Sequence, residues 1–219
     1  MVQDRLWKQI LKSDGEPVLS LSLHTPELAA EGRGPEHISR YYTKLTDIWK
    51  ARWEHTLFPA ACAALAAARE VSRPFQPWSA TLDYRVTLED DRLLSIYVDA
   101  TERSDGRPMT VRTADTWEIK TGFPHLLPDF LPKSPLWRRS LLTELTSQAE
   151  TQLQHGESFF YQDAAQRLRR SFSSKRFYLT DRHLAIFFPM LSLAPAAEGI
   201  PVFLLPYPPG EEEQNSQPI

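Results

Sequence analysis

The feature that most constrains this chain is the alternation over Trp78–Leu88. Apolar Trp78, Ala80, Leu82, Tyr84, Val86 and Leu88 interleave with Ser79, Thr81, Asp83, Arg85 and Thr87. A period of two means a strand with one buried and one wet face, because a helix repeats every 3.6 residues. Glu89-Asp90-Asp91 supplies a polar turn, and Leu94, Ile96, Val98 and Ala100 then repeat the pattern up to Thr101. Glu102–Pro108 reads as a polar loop, Met109–Ala114 as a third strand and Thr116–Lys120 as a fourth. Short polar connections between such strands predict an antiparallel meander.

The flanking segments add helices. Leu19, Leu21 and Leu23 alternate with Ser20, Ser22 and His24 in a strand over Pro17–His24, with a loop expected over Thr25–Gly34. A short helix is expected from Asp4 to Lys12. Pro35 suits a first helical turn, and Ile38, Tyr41, Tyr42, Leu45, Ile48, Trp49 and Trp53 recur at helical spacing, opposite charged residues. Pro59 should kink or break this helix, which continues alanine-rich to Glu70. Phe123–Lys133 carries three prolines and reads as a stiff loop. Ser134-Pro135 starts a second helix, Leu136–His155, whose stripe is Trp137, Leu141, Leu145, Ala149 and Leu153 and which ends at Gly156. Asp163 opens a shorter helix to Arg170. Arg176–Thr180 and His183–Phe188 flank a tight turn at Asp181-Arg182, Ile200–Leu205 is a last strand, and no repeat is evident. Segregated strands and helices predict an α+β fold: an antiparallel β-meander sheet with a long kinked helix and a second helix packed on its apolar face. Residues 1–16 read as an N-terminal segment, 17–207 as one compact unit, and the acidic, proline-bounded 208–219 as a disordered tail.

Composition removes several functional classes. At 219 residues and 42% hydrophobic the chain can bury a substantial core. A net charge of −3 lacks the bulk electrostatics of a dedicated nucleic-acid binder, so no nucleic-acid partner is expected. The single cysteine, Cys62, sits among alanines and reads as a small core residue. No apolar run approaches the ~18 residues of a membrane span, and Asp4, Lys8 and Lys12 interrupt any signal-peptide core. The expected location is therefore cytoplasmic, or extracytoplasmic if an export segment has been removed. The six histidines show no zinc-ligand spacing, and no nucleophile elbow or glycine-rich phosphate loop occurs. No catalytic residue, metal or cofactor is nominated. Asp90-Asp91 reads as a solvated turn. Two basic clusters, Arg138-Arg139 and Arg167, Arg169, Arg170, Lys175 and Arg176 with Phe172 and Phe177 interleaved, read as solvated faces in a chain of net negative charge.

The polar sheet face, where Thr81, Asp83, Arg85 and Thr87 neighbour Ser95, Tyr97 and Asp99, is either plain solvent surface or a shallow recognition surface. The Glu102–Pro108 loop and this face nominate Arg103, Asp105, Arg107, Arg112, Arg85 and Tyr97 as candidate binding residues, with Arg103, Arg107 and Arg112 supplying charge-assisted contacts.

The stretch Arg176–Tyr207 carries a more specific signal. Phe177, Tyr178, Leu179 and Thr180 lead through a turn into an aromatic-rich strand, and Ala194, Pro195, Gly199, Ile200 and Pro201 follow. This pattern resembles the bacterial domain family found at the C-terminus of RsiV, a lysozyme-sensing anti-sigma factor, and in the non-catalytic N-terminal part of PdaC-type peptidoglycan deacetylases. The resemblance extends loosely over residues 17–207 and implies a companion subdomain over 17–75 and the family domain over 76–207. It also implies a bacterial protein of a Gram-positive lineage. The anti-sigma segment, the membrane span and the deacetylase metal motifs of those relatives are missing, so neither activity is implied. The reading is a non-enzymatic recognition or accessory domain whose partner is a protein or a cell-wall-related ligand. Two alternatives stand beside it: a hydrolase or deacetylase with a site assembled from distant residues, and an intracellular interaction protein acting in sporulation.

Overall fold

The computed structural model describes residues 1–156 and 158–207, so the expected tail at 208–219 lies outside the described residues. The fold is mixed α+β, with one six-stranded and one three-stranded sheet. In chain order the larger sheet contains β1 (Val2–Ser13), β2 (Glu16–Leu28), β3 (Trp78–Glu89), β4 (Leu93–Ser104), β5 (Arg107–Glu118) and β6 (Phe123–Pro124). The strands lie side by side in that order.

Two sequence expectations fail, one at the N-terminus and one at the β4–β5 hairpin. Residues expected to form a helix from Asp4 to Lys12 form β1, paired antiparallel to β2 from Val2↔Leu28 to Ser13↔Glu16. The doublets Leu6-Trp7 and Ile10-Leu11 mimic helical spacing. In the strand they split, with Trp7 and Leu11 half-buried on one face and Leu6 and Ile10 exposed on the other. The turn chemistry decides the matter: Asp14 and Gly15 have φ of 52° and 83°. Two successive positive φ values make the tight turn whose twist suits an antiparallel hairpin. The same chemistry recurs at Asp105 and Gly106, with φ of 50° and 75°. The expected Glu102–Pro108 loop is therefore a two-residue turn, and the expected third and fourth strands are the single strand β5. Both turns sit in the pattern basic-Ser-Asp-Gly-x-Pro, Lys12–Pro17 and Arg103–Pro108.

A second departure from a pure meander lies between β2 and β3, which pair in parallel from Leu19↔Trp78 to Leu23↔Leu82. Parallel neighbours need a long crossover, and the helices α1 (Arg33–Arg52) and α2 (Phe58–Glu70) provide it. Between them Trp53–Leu57 forms one π-helical turn, in which the Phe58 N–H donates to the Trp53 carbonyl. Pro59 has no N–H to offer the His55 carbonyl, so the ladder slips just where the sequence predicts a kink. That turn carries Trp53, fully buried, whose Nε1 donates to Glu102 Oε1 at 2.9 Å.

By internal packing the chain forms two compact units. The first comprises Met1–Arg85, Val98–Thr113 and Ile119–Phe123; the second comprises Val86–Tyr97, Ala114–Glu118 and the chain from Pro124. In the first unit α1 packs on β2, and Leu19, Leu21, Leu23, Ile38 and Tyr42 are buried. Thr25 and Thr46 join hydroxyls across that contact at 2.9 Å. Ile48, expected on the buried stripe, is 64% exposed. Gly34 enters the first turn of α1 so close to the backbone of Ile119 and Lys120 that any Cβ would overlap the Ile119 carbonyl.

The second unit packs α3 (Trp137–His155) and α4 (Ala164–Ser171) on a sheet of β7 (Phe177–Leu179), β8 (His183–Phe187) and β9 (Val202–Pro206). Leu141, Leu145 and Ala149 of α3 meet Leu168, Phe177, Leu184, Ile186 and Phe203 in one cluster. Burying a side chain of this size stabilises by about 1.5–3 kcal/mol. The same cluster takes in Leu93 of β4, with Leu88 of β3 packed against it.

Candidate functional site

The β4–β5 hairpin brings together three of the six nominated residues. Arg103, Asp105 and Arg107 are exposed at its tip, and none has a side-chain ion pair or hydrogen bond among the described residues. The stem beneath is cross-braced. Thr101 and Thr110 hydroxyls meet at 2.9 Å, and Arg112 grips Asp99 with two bonds, Nε to Oδ1 at 2.7 Å and Nη2 to Oδ2 at 2.6 Å. Arg112 is therefore part of the stem, its side chain only 12% exposed. Paired forks of this kind fix geometry as well as supplying energy. Arg85 lies exposed on β3.

Tyr97, the sixth, is elsewhere engaged. Its ring stacks at 5.2 Å on Tyr178, within a cluster that includes Ala185 and Phe187. The polar face of β4 is covered in this stretch. Ser95 is fully buried, shares a 2.9 Å hydroxyl contact with Thr116, and accepts the Leu179 N–H at 2.9 Å. The bonds Thr180 N–H to His183 and Phe187 N–H to Arg176 set the β7–β8 alternation, so Leu179 points its N–H away from β8. Ser95 satisfies that edge donor, which would otherwise cost about 1–3 kcal/mol.

Histidines enter two small polar clusters. His125 sits between Glu118 (3.2 Å from Nε2) and Asp129 (3.3 Å from Nδ1), with its ring 5.4 Å from Phe130. His24 Nδ1 lies 2.8 Å from Asp4, and 3.9 Å separates its Nε2 from Asp83. Burial, then the charge and hydrogen bond of Asp4, raise the Tyr84 hydroxyl above its ordinary value. Among the described residues no three His, Cys, Asp or Glu side chains are grouped to hold a metal ion. Asp90 is a turn residue, accepting the N–H groups of Arg92 (2.7 Å) and Leu93 (2.6 Å).

Sequence reading missed a grouping rather than a residue. Both basic clusters are visible in the sequence, but only the packing of α3 on α4 brings Arg138 and Arg139 to the same cavity as Arg169.

The C-terminal unit also carries the family signal. Residues 132–208 match the model of DUF3298, a protein family of unknown function. The stretch Arg176–Tyr207, whose pattern carries the resemblance drawn from sequence, lies inside the DUF3298 match. The structure resembles that of a DUF3298 family protein from Pseudomonas aeruginosa PAO1, with a TM-score of 0.56, 18% identity, and coverage of 94% of this chain and 90% of that one. A DUF3298 family member from Bacteroides fragilis gives a TM-score of 0.54 at 13% identity, with the same coverage of 94% and 90%. At such identities the likeness is one of fold. No curated protein matches.

Proposed function

We propose that this chain is a non-enzymatic recognition module of the RsiV- and PdaC-like kind, binding a protein or a cell-wall-related ligand through the tip of the β4–β5 hairpin. One observation carries this reading: a braced stem holds two arginines and an aspartate at an exposed tip with no partner among the described residues. Holding charged groups rigid before binding lowers the entropy cost of association, so a stiff hairpin is a better recognition element than a loop. Arginine forks suit carboxylates and phosphates on the partner. The DUF3298 match supports a domain shared across bacterial proteins, and the assignment to recognition rests on the hairpin.

The test is retention of the purified chain on insoluble peptidoglycan and on immobilised bacterial envelope proteins. Wild-type chain should be retained on one of the two, and the double variant Arg103→Glu, Arg107→Glu should be released while keeping its circular dichroism spectrum. Equal retention of both proteins, or of neither, would overturn the reading.

A further inference from the structure

An open cavity beside α3 and α4 has a volume of about 520 Å³ and is lined by Arg138, Arg139, Arg169 and Thr143 with Pro135, Leu136 and Leu142. That volume lies within the usual range of small-molecule sites, roughly 300–1,000 Å³. Its charges are unusually one-sided, and no carboxylate is among the lining residues. An adjoining hollow shares Leu136, Arg139 and Thr143 and contains Glu144, whose carboxylate accepts from Gln148 Nε2 at 2.9 Å.

Two other arginines of the same region, Arg167 and Arg176, are already engaged. Arg167 Nε donates to Asp163 at 2.7 Å, and this hydrogen bond holds the Asp163 carboxyl below its ordinary value. Arg176 donates to the Ser171 carbonyl at 2.8 Å. By contrast, Arg139 and Arg169 have no ion pair or hydrogen bond among the described residues. Arg138 is positioned without being neutralised: its guanidinium lies 5.5 Å from the Phe172 ring centroid, at the end of α4. A cation over an aromatic face keeps its full charge and its donors.

We propose that this cavity binds a phosphate monoester carried on a small apolar body. A phosphate monoester carries about −1.5 to −2 charge and three strong acceptor oxygens, which three guanidinium groups can match. A single carboxylate would leave two of the three cations uncompensated. Leu136, 59% exposed, stands beside the arginines with Leu142 and Pro135, and this wall suits the hydrocarbon part of the ligand. The inference is independent of the hairpin reading, since it concerns other residues and another ligand.

Phenyl phosphate is the probe, because it joins one phosphate to one ring, and calorimetric titration is the assay. Saturable binding by the wild-type chain is expected. Arg139→Ala and Arg169→Ala should each weaken it about tenfold, as loss of a charge-assisted hydrogen bond does. Benzoate, with the same ring and a single charge, should bind at least about tenfold more weakly, and raising salt from roughly 50 to 200 mM should weaken phenyl phosphate binding. Both variants replace exposed side chains, and unchanged thermal midpoints would show that the fold is intact. Absence of saturable phenyl phosphate binding, variants that bind like wild type, or benzoate binding equally well would each overturn the proposal. Phenyl phosphate binding that survives Arg103→Glu with Arg107→Glu is expected, and its loss in that variant would place the phosphate on the hairpin instead.

Discussion

The two Ser-Asp-Gly hairpins of the first unit share their turn chemistry and differ in what surrounds the tip. At the β1–β2 turn, Arg69 of α2 reaches Asp14 at 3.4 Å and Glu16 at 2.8 Å. Those hydrogen bonds raise the Arg69 guanidinium above its ordinary value. At the β4–β5 turn no helix residue answers Arg103, Asp105 or Arg107 among the described residues. The stem there is instead gripped from within by Asp99 and Arg112. One tip has its two carboxylates paired with a helix arginine, while the charges of the other have no partner among the described residues. Local sequence therefore sets the shape of a hairpin, and the neighbouring helix sets whether its charges are free to act.

The largest effect is expected at the second stem. Asp99→Ala removes both bonds to a guanidinium that is only 12% exposed, at an expected cost of about 2 kcal/mol. Urea unfolding should show it as a lower midpoint, and hydrogen exchange should quicken over the β4–β5 hairpin. Equal quickening at the β1–β2 hairpin would mean that the two stems are not separately braced.

A smaller and matched effect is expected at the turns. Gly15 and Gly106 have φ of +83° and +75°, and a Cβ at either meets no atom within 4 Å. Alanine at each should cost about 1 kcal/mol through backbone strain alone. Thermal denaturation of Gly15→Ala and Gly106→Ala should give closely similar shifts, and a wide disparity would show that the turns are not equivalent.

Arg69→Ala sharpens the contrast further. Its partners are solvent-exposed, so the expected change in midpoint is slight. The first tip, however, should exchange its amide protons faster, and the difference from wild type should shrink as salt screens the pair. An unchanged first tip at low salt would remove Arg69 as the distinguishing element.

The smallest stability effect belongs to Arg103→Ala combined with Arg107→Ala. Both side chains are exposed, and replacement should stay within about 0.5 kcal/mol of wild type in chemical denaturation. A larger loss would mean that the tip is structural after all.

Much of the architecture was legible in the sequence. The alternation from Trp78 and the return from Leu94 gave β3 and β4. Pro59 marked the break in the long helix, and Ser134-Pro135 with Gly156 bracketed α3. The N-terminal strand was not legible through hydrophobic spacing, because Leu6-Trp7 and Ile10-Leu11 fit a helix as well. Asp14-Gly15 was the better signal, as was Asp105-Gly106 for the second hairpin. At the candidate sites the residue types were visible but their commitments were not. Arg112 and Arg103 look alike in sequence, yet one holds a stem and the other faces solvent. Ser95 belongs to a polar alternation that implies a wet face, and the Leu179 N–H makes it a buried acceptor.

Periods, turns and helix ends are written into the chain locally, because they follow from φ preferences, missing N–H groups and side-chain alternation within a few residues. The parallel β2–β3 pairing, the burial of Ser95, the pairing of Arg69 with the first tip, and the meeting of Arg138 and Arg139 with Arg169 arise from long-range packing. Each of these joins groups distant along the chain. Whether such a charge or donor is satisfied depends on which element packs beside it, and no local preference encodes that.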